Sequence, residues 1–390
     1  MTSKSPEEFL ATPKSCPTLE LPDSTAIVNV QIIDTTTSLT VPMAPFAGPA
    51  QVGHESLLGP SISFLIHHGP TDKRVLFDLG SRKDWKNLPP AVLNIITSPG
   101  WGLEVTKDVR EILTENGIDV EAGAIDCIIW SHWHYDHTGD PSTFPPLTSL
   151  IVGPGFKEAF IPAQCYPRNP NGMVLESDFA GREVKEINFN GSTVINGFKA
   201  FDFFGDGSFY LLDAPGHTIG HLCGLARVSS APSTYVFMGG DAAHHGAEYR
   251  PTEYLPLPKQ ITPSPLPAHK HKHASFCPGE IFASIHSAPD KYATEPLYGV
   301  VEGVAYDTKA ANQTIQDMTV FDANDDVFVI IAHDASLLHE EVEMRWFPNG
   351  DLSEWRKQGW KEKERWGFLK DFETALMQKD VVLSNNDKIV

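Results

Sequence analysis

The sequence predicts an α/β fold, with sheets of short buried strands packed between helical layers. Three observations carry that reading. Residues 125–130, 147–152, 209–212, 235–238 and 327–332 are short, nearly unbroken apolar runs, the pattern of strands covered on both faces. Residues 105–116 instead show helical spacing through Val109, Ile112 and Leu113, with Gly117 placed to cap the helix. Hydrophobic residues make up 41% of the 390-residue chain and charged residues 21%, which leaves ample apolar material for a sizeable core.

Taken in order, residues 1–20 are rich in Pro, Ser and Thr and read as an N-terminal tail or surface strap. Residues 26–33 are a strand candidate. Residues 35–60, rich in Pro, Gly and Thr, look too irregular for a regular element. Residues 61–66 and 74–80 read as two strands joined by the turn Gly69-Pro70-Thr71-Asp72. A catalytic domain is expected over residues 21–345, with a Pro- and His-rich loop insertion around 246–287. That insertion holds His269, His271 and His273, which read as a solvated loop. The aromatic-rich extension 346–390 is expected to pack on the domain and to fray from about Gln378.

The formal net charge of -20 argues against nucleic acid as a partner, because phosphate neutralisation needs Lys and Arg. It also disfavours an anionic membrane surface. No apolar stretch has the roughly 18 residues of a membrane span, and residues 1–8 lack the apolar core of a secretory signal. Cys16, Cys127, Cys165, Cys223 and Cys277 are scattered and form no C-x-x-C pair, which fits reduced thiols in a cytoplasmic protein.

The strongest chemical signal is Ser131-His132-Trp133-His134-Tyr135-Asp136-His137-Thr138-Gly139-Asp140, directly after an apolar run. Imidazole and carboxylate are ligands that Zn²⁺ accepts while keeping an open coordination site. In an extended segment His132 and His134 point the same way, whereas adjacent Asp136 and His137 must diverge, so the spacing favours two metal ions over one. Further candidates follow other apolar runs: His217 in Gly216-His217-Thr218-Ile219-Gly220-His221, Asp241 in Gly239-Gly240-Asp241, and His333 in Ile330-Ile331-Ala332-His333. Strand ends hold loops in place while those loops converge on one point.

Together these motifs resemble the metallo-β-lactamase superfamily, over roughly residues 25–340. The resemblance implies an αββα four-layer sandwich with the metals at the edge between two sheets. It assigns His132, His134 and His217 to one metal and Asp136, His137 and His333 to the other, with Asp241 bridging. Asp78 matches the family's structural aspartate behind the site, and His221 a structural or supporting position. Class B β-lactamases place a cysteine at the second metal, and this chain has no suitable one; Cys223 reads as a small buried residue. Diiron flavoproteins of the fold carry Glu where His134 stands. The branch implied is that of acyl-homoserine lactonases and related fungal lactone and lactam hydrolases.

The expectation is therefore a hydrolase with two divalent ions, zinc first among them, that opens a cyclic ester or amide by attack of a metal-bridging hydroxide on the carbonyl. Asp136 is the expected proton shuttle. The lactonases carry Tyr three residues after the bridging Asp; here that residue is His244, a candidate hydrogen-bond donor to the substrate carbonyl. Small-molecule lactones, lactams or thioesters are the expected substrates. An acyl thioesterase of the same fold is the alternative, followed by a mononuclear iron sulfur dioxygenase and a non-catalytic metal-stabilised binding protein. Residues 40–59, with Met43, Pro45, Phe46, Leu57 and Leu58, and residues 251–257 are apolar enough to line a substrate pocket.

Overall fold

The computed structural model describes residues 8–267 and 276–386. One sheet holds β1 (Asn29–Pro42), β2 (Ser56–His68), β3 (Lys73–Phe77), β4 (Gly102–Glu104), β5 (Cys127–Ile129), β6 (Ser149–Val152) and β7 (Val184–Glu186), in the order β7-β6-β5-β3-β2-β1-β4. The half from β3 to β7 is parallel, and β2, β1 and β4 continue it antiparallel. The second sheet runs in sequence order through β8 (Thr193–Ile195), β9 (Phe198–Asp202), β10 (Phe209–Asp213), β11 (Leu222–Ser230), β12 (Ser233–Met238) and β13 (Val327–Ile330). It is antiparallel as far as β12, which β13 joins in parallel. The helices are α1 (Pro90–Ile96), α2 (Val109–Glu115), α3 (Tyr135–Thr138), α4 (Phe156–Phe160), α5 (Thr308–Ala323), α6 (Trp355–Gln358), α7 (Trp360–Glu364) and α8 (Glu373–Asn386).

Side-chain alternation builds the layers. Val30, Ile32, Phe64, Ile66, Val75 and Ile129 of the first sheet meet Phe209, Leu211, Val236, Phe328 and Ile330 of the second in a shared core. The intervening residues face outward, yet they too are buried. Leu65, Leu76, Ile128 and Leu150 pack with Val109, Ile112 and Leu113 of α2 and Phe156 of α4. Tyr210, Leu212, Leu225, Phe237 and Val329 pack with Ile315, Met318 and Phe321 of α5. The four layers follow the order α-β-β-α, as the resemblance implied. Coverage of both faces explains why these strands read as continuous apolar runs.

Two expectations are corrected. Residues 35–60 are not irregular throughout: β1 extends to Pro42 and pairs with β2 from Ser56. A register shift between Asp34 and Ser38, with Thr36 at φ 58°, interrupts the alternation that would have revealed the longer strand. The second concerns the C-terminal end, where helical geometry continues past Gln378 as α8 to Asn386.

The described part of the N-terminal segment lies as a strap along residues 253–258: Leu10 N donates to Leu257 O at 2.9 Å and Lys14 N to Glu253 O at 2.8 Å. In the 246–287 segment, Leu255, Leu257, Ile261, Cys277 and Phe282 pack with Trp366, Phe368, Leu369 and Phe372 of the C-terminal part. His269, His271 and His273 lie outside the described residues. Trp355 and Trp360 reach the core between the sheets. All five cysteines are free thiols, and among the described residues no helix is long and apolar enough to cross a membrane.

Candidate metal centre

The C-terminal ends of five strands deliver the site: Asp78 follows β3, His132 to His137 follow β5, His217 follows β10, Asp241 follows β12 and His333 follows β13. After β5 the backbone bends at Ser131, Trp133 and His134, with His134 itself in an extended conformation (φ -67°, ψ 148°), and turns helical at Tyr135. That change sends His132 and His134 one way and Asp136 and His137 another. Two glycines make the approach possible. At Gly216 (φ +127°) a Cβ would stand 2.1 Å from Ala311 N, so the loop carrying His217 rests directly on the first turn of α5. At Gly240 (φ +51°) a Cβ would stand 2.9 Å from His221 Nε2.

Two donor groups result. His132, His134, His217 and Asp241 each offer a ligand atom within 4.8 Å of one another, and so do Asp136, His137 and His333. All seven expected residues are thus brought together. Asp241 stands between the groups. Its Oδ2 lies 3.6 Å from His132 Nε2 and 3.4 Å from His217 Nε2, while its Oδ1 lies 3.1 Å from both His137 Nε2 and His333 Nε2.

The second nitrogen of several rings is already engaged, which turns the first inward. His137 Nδ1 lies 2.9 Å from Asp78 Oδ2, and Asp78 also accepts from Ser131 N at 2.6 Å and Ser131 Oγ at 2.7 Å. His333 Nδ1 meets Pro60 O at 2.8 Å. His132 Nδ1 lies 3.0 Å from Ser131 Oγ. His221 is no donor in either group: its Nε2 accepts from Asp241 N at 3.0 Å and its Nδ1 meets Ala214 O at 3.1 Å, so it braces the loop. Cys223 is fully buried in the core outside the second sheet.

The inward atoms fit metal ions and fit little else. His132 Nε2, His137 Nε2 and Asp241 Oδ1 are buried without a hydrogen-bond partner. Such orphaned polar atoms cost free energy unless something charged meets them. Burial, reinforced by His137 and His134, holds His132 well below the ordinary imidazole pKa. Burial alone would raise the Asp241 carboxyl, yet His137, His333 and His132 hold it far below the carboxylate range. Burial alone would lower His137, yet Asp241, Asp136 and Asp78 hold it well above the ordinary imidazole pKa, so the carboxylates draw positive charge to this point, and divalent ions that accept nitrogen and oxygen supply it.

A third group, His54, His245 and Asp371, meets the same distance condition but is a different object. His245 Nδ1 accepts from Ala247 N at 3.1 Å, so the neutral ring carries its hydrogen on Nε2 and donates it to Asp371 Oδ2, 3.1 Å away. His245 is thus left with no lone pair for an ion.

The centre opens into a cavity of about 330 Å³ walled by Leu39, Val41, Phe46, Leu57, Val92, Trp101, Trp133, Met173 and Val304. Phe46 and Leu57 were expected there. Met43, Leu255 and Leu257 instead pack in the core, and Leu58 is exposed. Trp101, Trp133, Met173 and Val304 were missed; only the place of Trp133 between two histidines marked it. His244 enters the same cavity, its ring 4.8 Å from that of Phe46 and its Nε2 unpaired, 3.5 Å from Asp241 Oδ2.

No protein-family model matches the chain. Among curated proteins, γ-lactamase FDB1 of Fusarium pseudograminearum is 41% identical over 365 residues, covering 91% of this chain and 85% of its own length. Metallo-hydrolase mfmC of Annulohypoxylon moriforme is 41% identical over 376 residues, covering 95% and 94%. Among solved structures, a B. thuringiensis AiiA variant with N-decanoyl-L-homoserine bound at its active site shares 15% identity and superposes with a TM-score of 0.52, over 83% of this chain and 99% of that one.

Proposed function

The chain belongs to the metallo-β-lactamase superfamily, in the branch that holds γ-lactamase FDB1 and metallo-hydrolase mfmC, and from that premise we propose that this hydrolase opens a cyclic ester or amide with two divalent ions, most readily zinc. His132, His134 and His217 would hold one ion and Asp136, His137 and His333 the other, with one oxygen of Asp241 turned to each. When bound, such a pair supplies Lewis acidity and lowers the pKa of a water towards neutrality.

The chain's own residues would do the rest. Asp136 lines the cavity beside His333, with Oδ2 3.5 Å from His333 Nε2. Its carboxylate would take the proton from the attacking water and pass it to the leaving oxygen or nitrogen. His244 lines the cavity with Nε2 buried and without a hydrogen-bond partner, and from there it would donate a hydrogen bond to the substrate carbonyl oxygen as negative charge develops on it. Phe46, Trp101, Trp133 and Val304 take up the apolar body of the substrate and exclude water from the ring being opened.

The observation that carries this reading is the pair of donor groups meeting at Asp241 on the floor of an apolar cavity. A pH-indicator screen of zinc-loaded protein against γ-lactones, benzoxazolinone-type lactams and acyl thioesters tests it. Ring opening as the fastest reaction supports the proposal. Turnover of thioesters alone would replace it with the thioesterase reading, and a single iron per chain with the dioxygenase reading.

A further inference from the structure

His244 sits on a loop that is held from two sides. Glu248 Oε2 accepts from the backbone amides of His244 at 2.5 Å and His245 at 3.3 Å, which fixes the loop from inside. From outside, the loop is gripped by the segment just before α8. Asp371 Oδ2 takes the Nε2 hydrogen of His245 at 3.1 Å. Phe368 lies so close behind that a Cβ on Gly246 would stand 2.5 Å from its ring. His245 is itself buried, so its ring cannot swing away without leaving this packing.

We propose that Asp371 is a positioning residue for the reaction: acting through His245, it fixes the backbone from which His244 enters the cavity, so the C-terminal segment completes the active site without touching substrate. The inference rests on the catalytic role proposed for His244. Its chemistry is geometric, since a displacement of about 1 Å in a hydrogen-bond donor costs up to roughly a hundredfold in rate.

The test is a double-mutant cycle on the zinc-loaded full chain, with Asp371→Ala, His244→Ala and the double variant, followed by kcat, KM and metal content. Asp371→Ala should lower kcat roughly tenfold or more with metal content unchanged, and Asp371→Asn, which keeps an acceptor oxygen, should recover most of it. In the His244→Ala background the Asp371→Ala change should cost no further kcat. Equal losses in both backgrounds, or wild-type kcat in Asp371→Ala, would overturn the inference. Wild-type kcat in His244→Ala would instead remove the role of His244 itself. Because Asp371 is partly exposed, the Asn variant is expected to fold even where Ala does not.

Discussion

His137 turns its Nδ1 to Asp78 Oδ2 at 2.9 Å and thereby leaves Nε2 facing Asp241 Oδ1 at 3.1 Å. The aspartate does more than fill space. It sits at φ 60°, a conformation Asp and Asn tolerate better than other side chains, and it also satisfies Ser131 N and Oγ. Asp78→Asn keeps the shape and the backbone but cannot accept from all three partners. The expected outcome is a metal affinity at the His137 position lowered about tenfold to hundredfold, read by competition with a chelator. Unchanged affinity would mean that His137 is oriented by packing alone.

His244 lines the cavity three residues after Asp241. His244→Ala should lower kcat about a hundredfold or more, as loss of one preorganised donor does, with both ions retained. Steady-state kinetics alongside metal analysis checks this. Loss of the ions together with the rate would make His244 a structural support of Asp241, 3.5 Å away.

Much of this site was legible in the sequence because its donors cluster. Four fall within His132 to His137, and His217, Asp241 and His333 each follow an apolar run. The two groups separate because the backbone changes from extended to helical between His134 and Tyr135; the divergence expected of adjacent Asp136 and His137 does not occur, since both join His333 in one group. The cavity wall was far less legible. Trp101, Met173 and Val304 come from separate loops and share no periodicity, so only the fold brings them together. The long β1 strand was hidden by the irregularity around Thr36. The link between His245 and Asp371 spans 126 positions, and nothing local to either residue announces it.

Asp178 should give stability a pH dependence of its own. Burial pushes its carboxyl up, Arg82 at 4.0 Å opposes that and Asp140 adds to it, with a net value of about 8. The folded value thus lies above the ordinary 3.8. Stability from this group is fully present below the unfolded value and is lost as pH rises towards about 8. Asp178→Asn mimics the protonated form, so its stability relative to wild type should grow between these limits, by up to about 1.4 kcal/mol per pH unit. Urea unfolding of both proteins across that range is the check, and a constant difference would show that the carboxylate is held charged without cost.

Arg250 is fully buried and ties the loop after β12 to the end of α5 and to α7, through Asp322 at 2.7 and 2.9 Å and Glu364 at 2.8 Å. Removing it leaves the buried Asp322 and Glu364 carboxyl groups without the guanidinium that hydrogen-bonds both. Arg250→Met should therefore cost about 3–5 kcal/mol, seen as a large fall in the thermal midpoint. A loss below about 1 kcal/mol would mean that Lys361 and Arg365 already compensate the charge.

Turnover of a γ-lactone and γ-lactam panel by chelator-stripped protein, before and after Zn²⁺ is restored and with Asp241→Asn measured beside it, decides whether the centre at Asp241 drives ring opening. Activity that is absent after stripping, returns with zinc and does not return in Asp241→Asn is the predicted result. Full activity in stripped protein, or in the Asp241→Asn chain, would contradict it.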